Sequence, residues 1–182
     1  MKADTLKRIF PVILITVVVF ACVALLNWTD SITRGKIEYQ KEQQVQSMLA
    51  EMFPNMSQYT FEDDIYTIYS NGDRVGYAFI AAGKGYGGDI DILVGLEDEA
   101  TIKGITIIPP ITETPGLGSR IAESSFTDMF RGLNIADVAL SRDGGQIDAI
   151  TGSTISSRAV VDAVRTEAME KVKLLKDSEE GG

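Results

Sequence analysis

The sequence predicts an α+β domain, an antiparallel sheet with flanking helices, set behind a single N-terminal transmembrane helix. Three observations carry that expectation. Residues Ile9–Trp28 hold no charged side chain, the middle of the chain alternates β-rich runs with turn signals, and the last part is a long stretch with apolar residues at helical spacing. Strands that come first with helices around them favour an antiparallel α+β arrangement. The 182 residues are about one domain's worth, and no internal repeat is visible.

The anchor is argued from length. About 20 apolar residues rising ~1.5 Å each cover the ~30 Å hydrocarbon core of a bilayer. Pro11 sits near the start, where a helix tolerates it, and Trp28 sits where an aromatic belt residue belongs. A cleaved signal peptide is the rival reading. Its apolar core is normally ~7–15 residues and followed by small residues, whereas this run is longer and ends in Asn27-Trp28-Thr29-Asp30. Cys22 after Val19-Phe20-Ala21 is a poor lipoprotein box, because Phe20 is bulky and the apolar run continues.

Lys2, Lys7 and Arg8 precede the helix, so residues 1–8 are expected to be cytoplasmic and the domain beyond Asp30 extracytoplasmic. Arg34 and Lys36 on the far side make the bias modest. The whole chain carries −9, and its N-terminal end is slightly basic, so the exported part is strongly acidic. That argues against nucleic acid as a partner. There is no histidine, and the one cysteine lies in the apolar run. His-ligated haem, thiolate zinc sites, iron–sulfur clusters held by this chain, His-based triads and an internal disulfide are therefore excluded.

Residues 30–54 read as a connecting helix, with Val45, Met48, Leu49 and Met52 on one stripe and Pro54 as the stop. Ile65–Tyr69 and Val75–Ala82 read as strands around the turn Asn71-Gly72-Asp73. Ile90–Leu96 and Thr101–Ile108 form a second pair around Glu97-Asp98-Glu99, ended by Pro109 and Pro110. Ser119–Phe130 is expected to be a short helix, and Val138–Leu140 and Gln146–Ile150 short strands. Thr154–Leu175 is the final helix, with Val160, Val161, Val164, Ala168 and Val172 along one side. The expected domain runs over 55–176, and 177–182 is expected to be a disordered tail.

Three small-residue loops are the candidate chemistry. Asp148-Ala-Ile-Thr-Gly-Ser-Thr154 runs into the final helix and sets a threonine hydroxyl at its mouth. Free amides and the positive end of the helix dipole meet there, so the place suits a phosphate, bound or bonded. Thr154 as a plain helix cap is the bland alternative. In Glu113-Thr-Pro-Gly-Leu-Gly118, Gly116 and Gly118 let backbone approach a flat ligand, or simply connect a strand to a helix. Lys84-Gly-Tyr-Gly-Gly88 is dense in glycine around one aromatic, or is a wide hairpin turn. Asp89 and Asp91 share a strand face and are read as solvated rather than as metal ligands. No metal and no catalytic side chain is expected.

Taken together, the KGYGGDIDILVGL, ETPGLG and DAITGSTISSRAVVDAV segments, in this order behind an anchor, resemble the G subunit of the Rnf electron-transport complex. More broadly they resemble the exported domain binding flavin mononucleotide (FMN) that is shared with the C subunit of the sodium-pumping NADH:quinone reductase. The resemblance runs from the anchor to about Leu175. It implies that a flavin transferase splits FAD and joins FMN by a phosphoester to Thr154, with Asp148 as the acidic start of the pattern and Thr151 as its first hydroxyl. Two departures stand out: Ser153 replaces the usual alanine, and Ile111-Thr112 stands where the family often has a histidine.

On that implication the phosphodiester rests on the amides of Ile155 and Ser156, and Arg158 either pairs with it or faces outward. The ring lies near Gly116-Leu117-Gly118, with Thr114 and Thr151 offering hydrogen bonds, Leu117 or Tyr86 covering a face, and Gly152 and Ser153 forming the turn before Thr154. The implied role is a membrane-bound electron relay between ferredoxin and NAD or a membrane carrier, coupled to sodium or proton translocation. Its implied partners are the membrane and iron–sulfur subunits of the complex. The C subunit of the quinone reductase is one alternative, and a flavin-sensing or scaffolding membrane domain without covalent flavin is another.

Overall fold

The computed structural model describes residues 2–180, without the side chains of 2–10, 12, 13, 31–40 and 178–180. The chain divides into two compact units, Met1–Gln44 and Val45–Gly182. Helix α1, Lys2–Met52, covers both the expected anchor and the expected connecting helix without a break near Asp30. In the first unit Leu14, Ile15, Val17–Phe20, Val23, Leu25, Leu26 and Trp28 are all exposed, Phe20 at 76% and Leu26 at 71%. Among the described residues, no helix is long and apolar enough to cross a membrane. Of the expected span 9–28, the side chains at 9, 10, 12 and 13 lie outside the described residues, as do those of Lys2, Lys7, Arg8, Arg34 and Lys36.

The second unit is built on a five-stranded antiparallel meander, β1 (Gln58–Glu62), β2 (Ile65–Ser70), β3 (Asp73–Lys84), β4 (Asp89–Leu96) and β5 (Ile102–Ile107), paired in sequence order. Alternation along a strand gives the sheet two covered faces. Leu93 and Ala78 point to one side and meet Val45, Leu49 and Phe53 from the end of α1. Phe79, Ala81, Ile92 and Val94 point to the other and meet Val160, Val161, Val164 and Ala168 of α3, Thr154–Glu180. The stripe expected on the connecting helix is thus the one that packs.

Close packing of α3 on β3 is what fixes the site. A Cβ at Gly83 would stand 2.6 Å from the Ala159 carbonyl oxygen, a distance only a missing side chain permits. At the far end of α3, buried Lys171 donates to the Asp63 carbonyl at 3.2 Å, which ties the helix to the β1–β2 turn.

Several expectations are corrected. Strand β1 is an addition: Asp63 and Asp64 both take positive φ, 50° and 61°, and so close a two-residue hairpin without glycine. The expected helix Ser119–Phe130 is broken into a 3₁₀ turn Gly118–Ala122, a single α turn α2 (Ser124–Thr127) and a 3₁₀ turn Asp128–Phe130. The break falls at Glu123, which is extended at φ −73°, ψ 145°. Instead of strands at 138–140 and 146–150 there is one parallel bridge, Leu140 to Ile147. Between them Ser141–Asp143 makes a 3₁₀ turn closed by Gly144 at φ 90°, so the chain doubles back too tightly for a ladder. Helix α3 continues to Glu180, into the segment expected to be disordered; 181 and 182 lie outside the described residues.

Candidate functional site

The three loops singled out in the sequence converge at one end of the sheet. Residues 85–88 join β3 to β4, pinned at their base by Lys84 opposite Asp89 and by the Gly85 amide donating to the Gly88 carbonyl at 2.8 Å. After β5 the chain continues in the same direction beside the start of β4, with the Ile108 amide donating to the Asp91 carbonyl at 2.8 Å and the Thr112 hydroxyl to the Asp89 carbonyl at 3.3 Å. That path brings Glu113 against the 85–88 turn, where the Gly87 amide donates to its carboxylate at 2.8 Å.

Thr114–Leu117 is a β-turn whose chemistry is written in the sequence. Pro115 takes the second position, and Gly116 takes the third at φ 72°, where a left-handed residue is needed. The Leu117 amide closes it on the Thr114 carbonyl at 3.1 Å.

The third loop delivers Thr154. Gly152, at φ 81°, turns the chain into α3. Ser153 occupies the cap position: its carbonyl accepts the first helical bond from the Ser157 amide at 3.0 Å. Thr154 is therefore the first helical residue rather than the cap, and the amides of Thr154, Ile155 and Ser156 precede that first bond. The Ser157 hydroxyl donates to the Ser153 carbonyl at 3.0 Å and accepts from the Ile150 amide at 3.0 Å, which locks the turn. Asp148 is exposed and accepts a hydrogen bond from the Ser141 hydroxyl.

A cavity of about 450 Å³ opens between these loops. Exposed Tyr86, Leu117 and Ile155 supply its apolar surface; Thr114, Ser153 and Thr154 supply hydroxyls. Glu113, Ser156, Gly118 and Gly152 complete the wall. Thr154 also borders a second recess of about 250 Å³ lined by Lys84, Arg142 and Arg158, with Asp162 as its one acid. The threonine thus stands between an apolar cavity and a basic one, at the start of a 27-residue helix.

Of the residues expected at a site, Thr154, Gly152, Ser153, Thr114, Leu117, Gly118 and Tyr86 line the cavity together. Thr151 is exposed, and neither it nor Gly116 is among the lining residues. Arg158 borders the basic recess, half-buried and paired with Asp143 at 2.8 Å. Sequence reasoning gave no role to Glu113, the Ile155 side chain or the Ser156 hydroxyl. Their participation depends on residues 43 positions apart meeting, as the Ser156 hydroxyl meets Glu113. Among the described residues, no three His, Cys, Asp or Glu side chains gather as metal ligands. A larger recess of about 570 Å³ lies by β5, Glu51–Pro54 and Asp128–Arg131, and holds none of the expected residues.

The convergence of these loops coincides with a match to the FMN-binding domain family over residues 85–168. The chain is 34% identical over 170 residues to the G subunit of the ion-translocating oxidoreductase complex of Methanosarcina acetivorans, covering 85% of this chain and 90% of that one. It is 34% identical over 172 residues to the protein of the same name from Aliivibrio fischeri, covering 80% and 81%. The crystal structure of Shewanella oneidensis NqrC aligns with 68% of this chain and 74% of its own at TM-score 0.49 and 17% identity. Identity at this level, across nearly the full length of the relatives, means that the chain belongs to the family of ion-translocating oxidoreductase complex G subunits and contains an FMN-binding domain.

Proposed function

We propose that this chain is the membrane-anchored FMN carrier of an Rnf-type ion-translocating oxidoreductase complex, with FMN held by a phosphoester on Thr154. The observation that carries the reading is the position of Thr154. Its hydroxyl belongs to the first residue of α3, between a cavity with apolar walls and a recess with three cations. A phosphate there meets helix amides and positive charge, and a flat ring meets apolar side chains.

The residues fit FMN. The 450 Å³ cavity falls within the ~300–1,000 Å³ range of small-molecule sites. A Cβ at Gly116 would point into open space, and one at Gly152 would press to 3.0 Å of Leu117. Hydroxyls on one side and Tyr86, Leu117 and Ile155 on the other match a ligand with a polar edge and aromatic faces. When bound, the flavin supplies reversible electron transfer, while the protein fixes its place and potential.

In the attachment step the Thr154 oxygen bonds to the FMN phosphorus of FAD, the P–O bond to AMP breaks, and AMP leaves. The hydroxyl proton passes to a base of the flavin transferase that supplies the FAD. On this reading the chain would hold FMN as the relay between ferredoxin and NAD or a membrane carrier, working with the iron–sulfur and membrane subunits of the complex and coupled to sodium or proton movement. The uncharged run Ile9–Trp28, whose large apolar side chains from Leu14 to Trp28 are exposed on α1, supports a single-pass anchor in the cytoplasmic membrane. Lys2, Lys7 and Arg8 support a cytoplasmic N-terminus.

The test is flavin fluorescence of the denatured full-length protein from a host with active transferase, with mass mapping of the Thr154 peptide. Fluorescence that survives denaturation, an FMN-sized mass on Thr154, and loss of both in Thr154→Ala are expected. Fluorescence retained in Thr154→Ala moves the attachment elsewhere. Wild-type protein without covalent flavin leaves a sensor or scaffold.

A further inference from the structure

Glu113 is the only buried acid among the described residues, 3% exposed, and it forms no ion pair among them. It lies in the cavity wall rather than in the apolar core. Each carboxylate oxygen accepts one hydrogen bond: Oε1 from the Gly87 amide at 2.8 Å, Oε2 from the Ser156 hydroxyl. The Ser153 hydroxyl donates to Ser156 at 3.0 Å, so a chain of hydroxyls runs from the cap of α3 to the acid.

The surrounding backbone is shaped to this one group. A Cβ at Gly85 would stand 2.2 Å from Oε1, and a Cβ at Gly118 would stand 2.5 Å from Oε2. An acid used only to fasten loops needs no place in a ligand cavity, and burial without a cation disfavours it. Two neutral donors and three flanking loops keep it there.

We infer that Glu113 is a positioning residue of the cofactor site, its carboxylate clamping the Gly87 turn to the first turn of α3 and setting negative potential on the cavity wall beside Thr154. This rests on reading the cavity as the FMN site. Negative charge in a poorly screened wall opposes the arrival of electrons on a neighbouring ring and so lowers its midpoint potential. The clamp and the charge are separable: glutamine keeps the side chain's size and its acceptor for Gly87, alanine keeps neither.

The experiment uses full-length protein produced with its flavin transferase, and reads covalent flavin content, melting temperature and flavin midpoint potential. Glu113→Gln is expected to keep attachment and melting temperature close to wild type while its potential moves positive. Glu113→Ala is expected to lose melting temperature and attachment together. Reduced-minus-oxidised infrared spectra of the wild type provide a readout that needs no variant, and a carboxylate stretch absent from Glu113→Gln is expected to respond to reduction. An unchanged potential in Glu113→Gln, or a wild-type difference spectrum without a carboxylate band, overturns the inference while FMN on Thr154 stands. Wild-type protein that takes up no flavin overturns the site reading and this inference with it.

Discussion

Arg158, which borders the basic recess beside Thr154, donates to Asp143 across 2.8 Å. The guanidinium is therefore neither free for a phosphate alone nor simply turned to solvent. Both side chains are near two-fifths exposed, 41% and 44%, so screening keeps the pair's contribution to stability within ~0–1 kcal/mol. Asp143→Asn is expected to leave the unfolding midpoint almost unchanged. Arg158→Ala is expected to leave flavin on Thr154 but shift its potential, because a cation leaves the recess. An unchanged potential by spectroelectrochemistry removes Arg158 from the phosphate's surroundings.

Gly83 sets how near α3 comes to β3. Its missing Cβ would meet the Ala159 carbonyl oxygen at 2.6 Å and Ala163 Cβ at 3.3 Å. Both neighbours belong to a packed helix, so relief requires the helix to move. Gly83→Ala is expected to destabilise by about 1–3 kcal/mol, the usual range for overpacking. Chemical denaturation of the full chain in detergent measures this, and a neutral result means that α3 sits farther from the sheet.

The parts that were legible in the sequence are those governed by local rules. The runs of β-branched and aromatic residues in β2, β3 and β4 and the Asn71-Gly72 turn follow from strand propensity and left-handed turn positions. The stripe of α3 follows from helical spacing. Strand β1 was hidden because its hairpin turns on Asp63 and Asp64, whose left-handed φ carries no glycine signal. Ser119–Phe130 reads as a helix by composition, and the extended backbone at Glu123 that breaks it carries no glycine or proline signal. The three loops of the site announced themselves through glycine, whereas Glu113 did not. Its meaning lies in Ser156, Gly87 and Gly85, which only the fold assembles around it.

Asp98 offers a test on the acid side. Its carboxylate accepts from the Ala100 and Thr101 amides at 2.7 Å each and from the Thr101 hydroxyl at 3.2 Å. The bond from Ala100 foremost, with those from Thr101, holds its carboxyl below the usual aspartate range against the opposing effect of burial. The folded state thus releases this proton more readily than the unfolded chain. The stabilisation is full above the ordinary aspartate pKa and is lost as pH falls through the lowered value. Because the turn is exposed, the effect stays under about 1 kcal/mol. Asp98→Ala is expected to lower the melting temperature near neutrality and to converge with wild type once the pH falls below the lowered value. An equal gap at both pH values assigns the loss to something other than ionised Asp98.

Gly152 faces two separate demands, and a pair of variants can divide them. Its φ of 81° lies where a side chain is strained, and an added Cβ would approach Leu117 Cδ1 to 3.0 Å. The backbone strain in Gly152→Ala costs about 1 kcal/mol or somewhat more. The Leu117 contact is with the end of a mobile side chain that is 42% exposed, so it yields at little cost. Strain therefore dominates, and Leu117→Ala added to Gly152→Ala is expected to restore little of the lost stability. Flavin attachment should follow the same order, since the strained turn carries Thr154 while Leu117 only borders the cavity. Denaturation midpoints of the two single variants and the double variant measure the coupling. Full recovery in the double variant reverses the ranking and makes the Leu117 contact, not the left-handed backbone, the reason glycine stands before Ser153.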